Sequence, residues 1–503
     1  MDQSLHPGPL SWSQLNSLYR AERIMLSDAA QNQVRRAHDF LQEVVASGKT
    51  VYGVNTGFGQ LATVRVGDDA LHQLQENILR SHAAGLGAPL PPEVVRWMLL
   101  FKVCGLVRGH SGVQPETVDR LVDFFNAGLM PVVPRQGSLG ASGDLAPLSH
   151  MCLPLLGEGE LMQRGADGAW VTRPAAEVLV ERGWSPISLG PKEGLALING
   201  TQMMSALLAH SLHQLETLWA QAHGIASLSL AAYEGLDAPF HPRVHALRQH
   251  EGQQASAAEM RTWLDGAAFL RETHEWVQDP YSFRCIPQVY GAVRRAVDLG
   301  RTTLEGEATA VTDNPILLPE SGEVISAGNF HGEPLAVVLD HLKVAASELG
   351  TMAERRVFKL LSGTRGLPPF LATDPGLDSG LMIVQYTAAS IVARNKMRAM
   401  PASVDTIDSS NGQEDHVSMG ANAGLQLLAV IDGTRELLAC ELLTASQALH
   451  FRSEPGLSPR QSDFLSVFRH AVPPQEGDVE QSARMRNAVA FLEAEGQSAR
   501  ALS

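Results

Sequence analysis

The sequence has few cysteines, no block rich in lysine and arginine, and no long uninterrupted run of apolar residues. Its 4 cysteines among 503 residues lie far apart without a CxxC pair, which excludes a disulfide scaffold and a zinc ribbon. We therefore expect buried free thiols in a reducing compartment. The absence of a basic block, together with a formal charge of -15, argues against nucleic acid or an anionic membrane as the main partner.

The richest apolar stretches are interrupted by polar side chains, which argues against a membrane span. Residues 195–212, for example, contain Asn199, Gln202 and His210, and none of these stretches reaches about 18 clean apolar residues. Residues 1–14 are polar and carry prolines, unlike the basic and then apolar segments of a secretory signal. The expectation is a soluble cytoplasmic protein.

The composition that is present is typical of a globular protein, with 44% hydrophobic and 18% charged residues. It excludes wholesale disorder and a collagen-like repeat. The length corresponds to roughly three domains of ordinary size, although one large lobed enzyme subunit fits it too.

The periodicity of the apolar residues changes near residue 195. Residues 1–195 alternate moderate helical pieces with Gly- and Pro-rich turns and short β-branched segments. Residues 196–503 contain long helical patterns without an internal helix-breaking proline, at residues 200–222, 334–361 and 420–449. The sequence therefore predicts a mainly α fold with two domains: a smaller N-terminal lobe with short β elements, then a bundle of long helices that ends in a helical tail.

One glycine-rich segment, residues 137–150, is not explained by packing. Three glycines recur in it at a spacing of three, although glycine is costly inside a helix or strand. A flexible or phosphate-cradling loop is one interpretation, but the Gly-Lys-Ser/Thr ending of a P-loop is missing. A serine hydrolase is a weak alternative, because a nucleophile elbow at Ser142 would need a glycine where the chain has Asp144.

The triplet Ala141-Ser142-Gly143 permits a rarer chemistry. Small neighbours leave the backbone around Ser142 uncrowded, so the amide nitrogen of Gly143 could approach the carbonyl carbon of Ala141. Cyclisation and loss of water, including the Ser142 hydroxyl, would leave a five-membered ring with an exocyclic methylene. Such a ring is an electrophile, which none of the standard side chains supplies.

Residues 140–148, Gly-Ala-Ser-Gly-Asp-Leu-Ala-Pro-Leu, resemble the signature of the histidine and aromatic amino acid ammonia-lyase family. Members of that family build a 4-methylidene-imidazol-5-one group (MIO) from Ala-Ser-Gly. Further segments are similar to family blocks in the family order: residues 51–59, 197–202, 281–285, 313–315, 328–331 and 413–419. The resemblance covers most of the chain, from about residue 50 to about residue 420.

The resemblance implies roles for the reacting residues. An MIO ring from Ala141, Ser142 and Gly143 would capture the substrate amine, so no external cofactor is expected. Tyr52 would be the base beside the β-carbon, which requires a phenol pKa below its ordinary value near 10. Arg284 would bind the substrate carboxylate through its planar guanidinium.

The same resemblance implies supporting roles for five more residues. Tyr281 would assist in the active site, on the same side as the carboxylate clamp if that segment is helical. Asn199 and Gln278 would hold the substrate carboxylate or the MIO carbonyl with their side-chain amides. Asn314 would support the ring, and Phe330 would line the pocket.

His82 and Glu414 bear on the choice of substrate. Arg-Ser-His at residues 80–82 is similar to the histidine branch of the family. The Glu414 carboxylate can accept a hydrogen bond from an imidazole N–H, whereas facing a phenyl ring it would be desolvated and unpaired. We therefore expect L-histidine to be converted to trans-urocanate and ammonia. A tyrosine or phenylalanine ammonia-lyase, or a related aminomutase, stays an open alternative.

The chain departs from the pattern of the histidine enzymes at two places. Arg394 stands where those enzymes tend to have glutamate, and Asn411-Gly412 differs from the commoner Ala-Asn. An arginine near the pocket would put the substrate in doubt, whereas an arginine on a helix exterior would be a neutral change.

Two other classes of enzyme fit parts of the sequence. Residues 57–62 match the loose G-x-G-x-x-A form of an NAD-dependent oxidoreductase, but the β-branched segment that follows does not begin the crossover helix such a site needs. A metal enzyme would have to use two separated pairs without HExxH spacing, so we expect no metal. These pairs are His331 with Glu333, and Glu414 with His416.

The resemblance also implies a quaternary structure, which the sequence alone does not fix. Family members form homotetramers whose long helices pack into a central bundle, with each active site assembled from three subunits. The expected partners are therefore a small amino acid substrate and other copies of the chain, with no nucleic acid and no membrane.

Overall fold

Helices dominate the regular structure of the chain. The computed structural model describes residues 2–48, 51, 53–54, 56, 67, 70–271 and 276–502. The α-helices are α1 (Trp12–Arg20), α2 (Asp28–Ala46), α3 (Leu71–His82), α4 (Pro92–Leu106), α5 (Pro115–Asn126), α6 (Leu145–Cys152), α7 (Ala175–Arg182), α8 (Glu193–Ile198), α9 (Gln202–Ala232), α10 (Pro242–Ala246), α11 (Glu251–Leu264), α12 (Tyr281–Arg284), α13 (Ile286–Glu307), α14 (Glu333–Leu360), α15 (Met382–Arg398), α16 (Gly420–His450), α17 (Pro459–Ala471) and α18 (Gln481–Leu502).

The strands are short and form small separate sheets. They are β1 (Asp2–Leu5), β2 (Arg23–Leu26), β3 (Leu86–Pro89), β4 (Met130–Pro131), β5 (Pro134–Gln136), β6 (Glu160–Arg164), β7 (Trp170–Pro174), β8 (Ile316–Leu318) and β9 (Glu323–Ile325). β1 pairs with β2 in parallel, with Asp2 opposite Arg23 and Leu5 opposite Leu26. The pairs β3–β5, β4–β6, β6–β7 and β8–β9 are antiparallel.

The predicted fold class, mainly α with small β features, is confirmed. The three long helical patterns of the sequence correspond to α9, α14 and α16, which are 31, 28 and 31 residues long. Within the described ranges, no helix has both the length and the hydropathy that a membrane crossing needs.

The chain divides into two compact units, each discontinuous in sequence. The first unit comprises Met1–His210, Gly300–Leu339 and Pro401–Leu425. The second comprises Ser211–Leu299, Asp340–Met400 and Gln426–Ser503. The division into domains at 1–195 and 196–503 stays a prediction, because compactness of contacts does not show which segments fold together.

The core of the first unit includes α4, which is buried nearly all round. Eleven of its 15 residues are buried, as expected for a helix that is apolar on every face. Lys102 is the one charged side chain among those eleven, at 2% exposure. A buried lysine in an apolar helix requires compensating hydrogen bonds, and these lie close to the candidate site.

Candidate active site

A cavity of about 1020 Å³ lies within the first unit. Its walls come from α3, the loop before α6, the residue after α8, and the segments before α14 and α16. The predicted site residues that line it are His82, Ala141, Ser142, Asn199, Asn314, Phe330 and Glu414. The fold therefore brings together residues that are up to 332 positions apart in the chain (414 − 82).

His82 is the last residue of α3 and lies half-buried at the cavity. Its Nδ1 is 2.9 Å from the carbonyl oxygen of Ile78, one turn earlier in the same helix. Burial lowers the pKa of the imidazole, and the Ile78 carbonyl and the Glu414 charge only partly oppose that effect. The ring is therefore neutral at neutral pH and can serve as a hydrogen-bonding group.

Ser142 is held at both its hydroxyl and its carbonyl group. The hydroxyl donates a hydrogen bond of 2.6 Å to Oε1 of Glu414, while Ser409 donates one of 2.8 Å to Oε2 of the same carboxylate. The side-chain amide of Asn199 donates to the main-chain oxygen of Ser142 over 3.0 Å. Glu414 and Asn199 therefore contact two different ends of the same serine.

Gly143 occupies a backbone position that only glycine fits. Its φ is +76°, and a Cβ at this position would lie 2.1 Å from the carbonyl oxygen of Gly200. The same carbonyl accepts a hydrogen bond of 2.7 Å from the main-chain N–H of Asp144. The third residue of the triplet is therefore required by local conformation and close packing.

Asp144 fixes the loop that carries Ser142 through buried hydrogen bonds. Its carboxylate is fully buried and accepts hydrogen bonds from the Ser138 hydroxyl at 3.0 Å and the Met204 amide at 2.9 Å. Burial raises the pKa of Asp144 to about 7, although these hydrogen bonds and Lys102 act in the opposite direction. The loop that carries Ser142 is thus fastened to the start of α9.

Asn314 and Phe330 line the cavity from the segment between α13 and α14. The side-chain oxygen of Asn314 accepts a hydrogen bond of 2.8 Å from the Ala327 amide, and Phe330 is half-buried. Asn411, one of the two departures from the family pattern, also lines the cavity.

The residues present fit an MIO group. Ala141, Ser142 and Gly143 contain the atoms of the ring, and Asn199 already donates to the carbonyl that the ring would keep. The other end of the Asn199 amide, Oδ1, is buried without a hydrogen-bond partner among the described residues. A buried acceptor left unpaired is costly, so a donor from a ligand suits this position.

Three of the predicted site residues, Gln278, Tyr281 and Arg284, lie in the second unit. None of them lines the cavity of the first unit. Tyr281 and Arg284 are the first and last residues of α12, and the guanidinium carbon lies 4.6 Å from the centre of the tyrosine ring. Tyr281 is 70% exposed, and Nε of Arg284 is buried without a partner among the described residues. Gln278 is exposed.

Two predictions concern residues outside the described ranges: Tyr52, and residues 57–62 of the alternative dinucleotide-binding motif. Arg394 is described; it lies on α15 in the second unit, 43% exposed, and pairs with Glu436 at 2.5 Å. It is therefore not among the residues that line the cavity.

The histidines considered as metal ligands form a stacked pair. The ring centres of His331 and His416 are 5.5 Å apart, and the rings are nearly parallel. Nε2 of His331 also lies 3.3 Å from the carbonyl oxygen of His416. Across the part of the chain that the structure describes, no group of three or more His, Cys, Asp or Glu side chains could hold a metal ion.

Sequence reasoning missed Asp144, Ser409 and Lys102 as neighbours of the site. Asp144 follows the triplet directly, so its position was visible, but its burial was not. Lys102 was signalled only by being a single lysine within an apolar helical run. Ser409 gave no sequence signal that we can identify.

The chain is similar to proteins of known family over most of its length. Residues 10–470 match the family model described as aromatic amino acid lyase. A histidine ammonia-lyase of Symbiobacterium thermophilum is 47% identical over 458 residues, which cover 91% of the chain and 89% of that relative. The crystal structure of histidine ammonia-lyase from Trypanosoma cruzi, 37% identical, superposes with a TM-score of 0.88 over 98% of the chain and 94% of its own.

A structure of tyrosine aminomutase from Streptomyces globisporus is also similar, with a TM-score of 0.92 and 32% identity over 100% of the chain and 98% of its own. The fold and the site thus define an enzyme of the lyase class. The chain belongs to the aromatic amino acid lyase family, and the resemblance found in its sequence is confirmed.

Proposed function

We propose that this protein eliminates ammonia from L-histidine to give trans-urocanate. The observation that carries the proposal is the position of Glu414 and His82 on the same cavity as Ser142. The carboxylate of Glu414 can accept a hydrogen bond from the substrate imidazole N–H, and a phenyl ring has no such donor. The relatives named histidine ammonia-lyase, including the one that is 47% identical, support the same substrate.

We propose further that Ala141, Ser142 and Gly143 form an MIO group, which supplies the electrophile that holds the substrate amine. Asn199 holds the carbonyl of Ser142, and Oδ1 of its amide, which has no partner among the described residues, can accept a hydrogen bond from a ligand. Glu414, supported by Ser409, orients the imidazole. Tyr52 is the proposed base, Asn314 supports the ring, and Phe330 lines the pocket.

Tyr281, Gln278 and Arg284 are proposed to act on substrate held by another copy of the chain in a homotetramer. Two features of the second unit support this. Tyr281 has a large exposed fraction, and Nε of Arg284 is buried without a partner in the described part of the chain. α15 also exposes Ile383, Tyr386 and Met397 by 58%, 60% and 66%. Apolar side chains exposed along one helix are typical of a surface that a subunit covers.

The cytoplasm is the proposed location. The four cysteines, Cys104, Cys152, Cys285 and Cys440, are free thiols in the structure, and three of them are buried. Free cysteines of this kind are typical of a reducing compartment.

An ultraviolet assay of the purified protein with L-histidine, L-tyrosine and L-phenylalanine in parallel tests the proposed substrate. We expect urocanate from L-histidine and no conjugated product from the other two. Coumarate or cinnamate would overturn the assignment of Glu414 and His82. A β-amino acid product, detected by chromatography, would instead favour an aminomutase, the second candidate, which the likeness to tyrosine aminomutase supports.

A further inference from the structure

Lys102 makes hydrogen bonds that connect the core of the first unit to the candidate active site. Lys102 is a residue of α4, and its ammonium group is buried. The ammonium group donates to the main-chain oxygens of Ala196 at 3.2 Å and Asn199 at 2.9 Å. Both acceptors belong to the C-terminal end of α8, where carbonyl groups lack partners within the helix. The lysine therefore fixes the end of α8 from inside the core.

Asn199 is the residue at which this end of α8 meets Ser142. It directly follows α8 as the C-cap residue, and its side-chain amide donates to the main-chain oxygen of Ser142 over 3.0 Å. Asn199 is 4% exposed, so its orientation depends on protein contacts rather than on water. Lys102 holds the main chain of this residue, and the side chain of this residue holds Ser142.

The chemistry of ring formation places negative charge on that same oxygen of Ser142. Ring closure joins the nitrogen of Gly143 to the carbonyl carbon of Ala141, and the Ala141 oxygen leaves as water with one proton from each of the Gly143 and Ser142 nitrogens. In the second loss of water, the Cα–H and Cβ–O bonds of Ser142 break and a Cα–Cβ double bond forms. The proton and the hydroxide together make one water molecule.

When the proton leaves Cα of Ser142, its electron pair is shared with the adjacent carbonyl oxygen. A preorganised hydrogen-bond donor at that oxygen stabilises the developing charge. Asn199 is such a donor, and it is effective only while its main chain is held in place.

We propose that Lys102 is a positioning residue for maturation of the triplet: it holds Asn199 so that the amide donates to the Ser142 carbonyl while Ser142 loses water. This inference rests on the proposed MIO chemistry. Burial lowers the pKa of Lys102 to about 8, and the nearby Cys152, Asp313 and Asp144 oppose this effect, so the group carries its full set of donors at neutral pH.

The test is the rate at which freshly purified protein loses the mass of two water molecules, followed by intact-protein mass spectrometry. Removing one donor at a developing oxyanion slows a reaction by about 10²–10³-fold. Because Lys102 acts through a second residue, we expect a smaller effect: K102M should mature about tenfold more slowly than the wild type. Methionine keeps the length and the apolar stem of lysine without its donors.

A double-mutant cycle separates positioning from a general structural role. If Lys102 acts through Asn199, the variant K102M/N199A matures at the rate of N199A alone, because no amide is left to position. Two effects that simply multiply would overturn the proposal. Should K102M fail to fold, K102Q replaces it in the same cycle, since the shorter glutamine side chain cannot span to both carbonyls.

Lys343, which also forms an ion pair with Asp340 at 2.6 Å, supplies a control at a second buried lysine. It is fully buried in the second unit and donates to the main-chain oxygen of Met400 at 2.9 Å. We expect K343M to lower the thermal midpoint and to mature at the wild-type rate. Wild-type maturation of K102M, or equally slow maturation of K343M, would overturn the proposal.

The measurement of mass is independent of the substrate. A wild-type chain that never loses two waters would refute the proposed MIO group itself. A chain that matures without acting on L-histidine would refute only the proposed substrate and leave the role of Lys102 standing.

Discussion

Two buried polar clusters, one in each unit, are satisfied in different ways. In the second unit, Arg356 donates to both oxygens of Glu441 at 2.6 and 2.8 Å, and both side chains are fully buried. Tyr290 accepts a further hydrogen bond from the same guanidinium at 2.6 Å, and Ser229 donates to the carboxylate at 2.7 Å. Each charge in this cluster therefore has an opposite charge and further hydrogen bonds.

In the first unit, the buried polar groups around Ser142 are not paired with groups of opposite charge in the described ranges. Neither Lys102 nor Asp144 forms an ion pair with any residue that the structure describes, and each depends on main-chain or hydroxyl groups. Burial moves both pKa values toward neutrality, to about 8 and about 7. Oδ1 of Asn199 also lacks a partner within the described residues.

This difference separates groups that stabilise from groups that are available for chemistry. A fully satisfied buried cluster rigidifies the structure around it. Buried groups with shifted pKa values or missing partners are typical of functional sites, where a ligand or a reaction completes them.

The largest effect is expected at Ser142. Ser142→Ala removes the hydroxyl from which the proposed electrophile is made, so activity should fall by about 10³-fold or more, the scale seen when a group that forms a covalent intermediate is lost. The thermal midpoint should stay close to that of the wild type. The matched control is Ser211→Ala in the second unit, because the Ser211 hydroxyl is buried without a partner among the residues that the structure describes. A fully active Ser142→Ala variant would remove the triplet from the mechanism.

The largest effect on stability is expected in the second unit. Arg356→Met leaves the Glu441 carboxylate buried and uncompensated, which should lower the free energy of unfolding by about 3–5 kcal/mol in denaturant titrations. The double variant Arg356→Met/Glu441→Leu removes both charges and should recover much of that loss. If the double variant is less stable than the single one, the cluster does not act as a paired charge.

A smaller, pH-dependent effect is expected at Asp144. Because its pKa is raised from 3.8 to about 7 in the folded protein, the native state favours the protonated form. The stabilising contribution is complete below about pH 4 and is lost as the pH rises through about 7, amounting to about 4 kcal/mol.

Asp144→Asn removes this titration. Relative to the wild type, the variant should therefore gain thermal stability between pH 4 and pH 8. Both proteins are best compared in the Ser142→Ala background, so that ring formation does not contribute. Parallel pH profiles for the two would contradict the raised pKa.

The smallest effect is expected at Arg394. Its pair with Glu436 is exposed on both sides, and such pairs contribute about 0.2–1 kcal/mol. Arg394→Ala should therefore change the free energy of unfolding by less than about 1 kcal/mol and leave the preference among L-histidine, L-tyrosine and L-phenylalanine unchanged. A switch of substrate preference would connect this side chain to the pocket.

Much of the fold followed from local patterns. The periodicity of residues 334–361 and 420–449 predicts α14 and α16 almost to their ends, because an amphipathic pattern over more than 25 residues leaves little choice of structure. The run at residues 200–222 was underestimated, since α9 extends to Ala232. The last turns of α9 are buried all round, so they lack the alternation that a periodicity argument needs.

The candidate site was predicted in part. His82, Ser142, Asn199 and Glu414 were identified by residue type and by their resemblance to family motifs, and the structure places them on one cavity. Lys102 was not identified, because its acceptors lie 94 and 97 positions away and are main-chain oxygens. A main-chain acceptor has no signature in the sequence.

The sequence by itself determined the long helices and the Ala-Ser-Gly triplet, since both depend on residues that are neighbours in the chain. Only the tertiary structure decided which polar groups are paired and which are left for chemistry. The raised pKa of Asp144 arises from desolvation, which depends on the segments packed around the group. The same packing buries Oδ1 of Asn199 without a partner among the described residues. For Ser142, those segments are α4, α8, the start of α9 and the loop before α16.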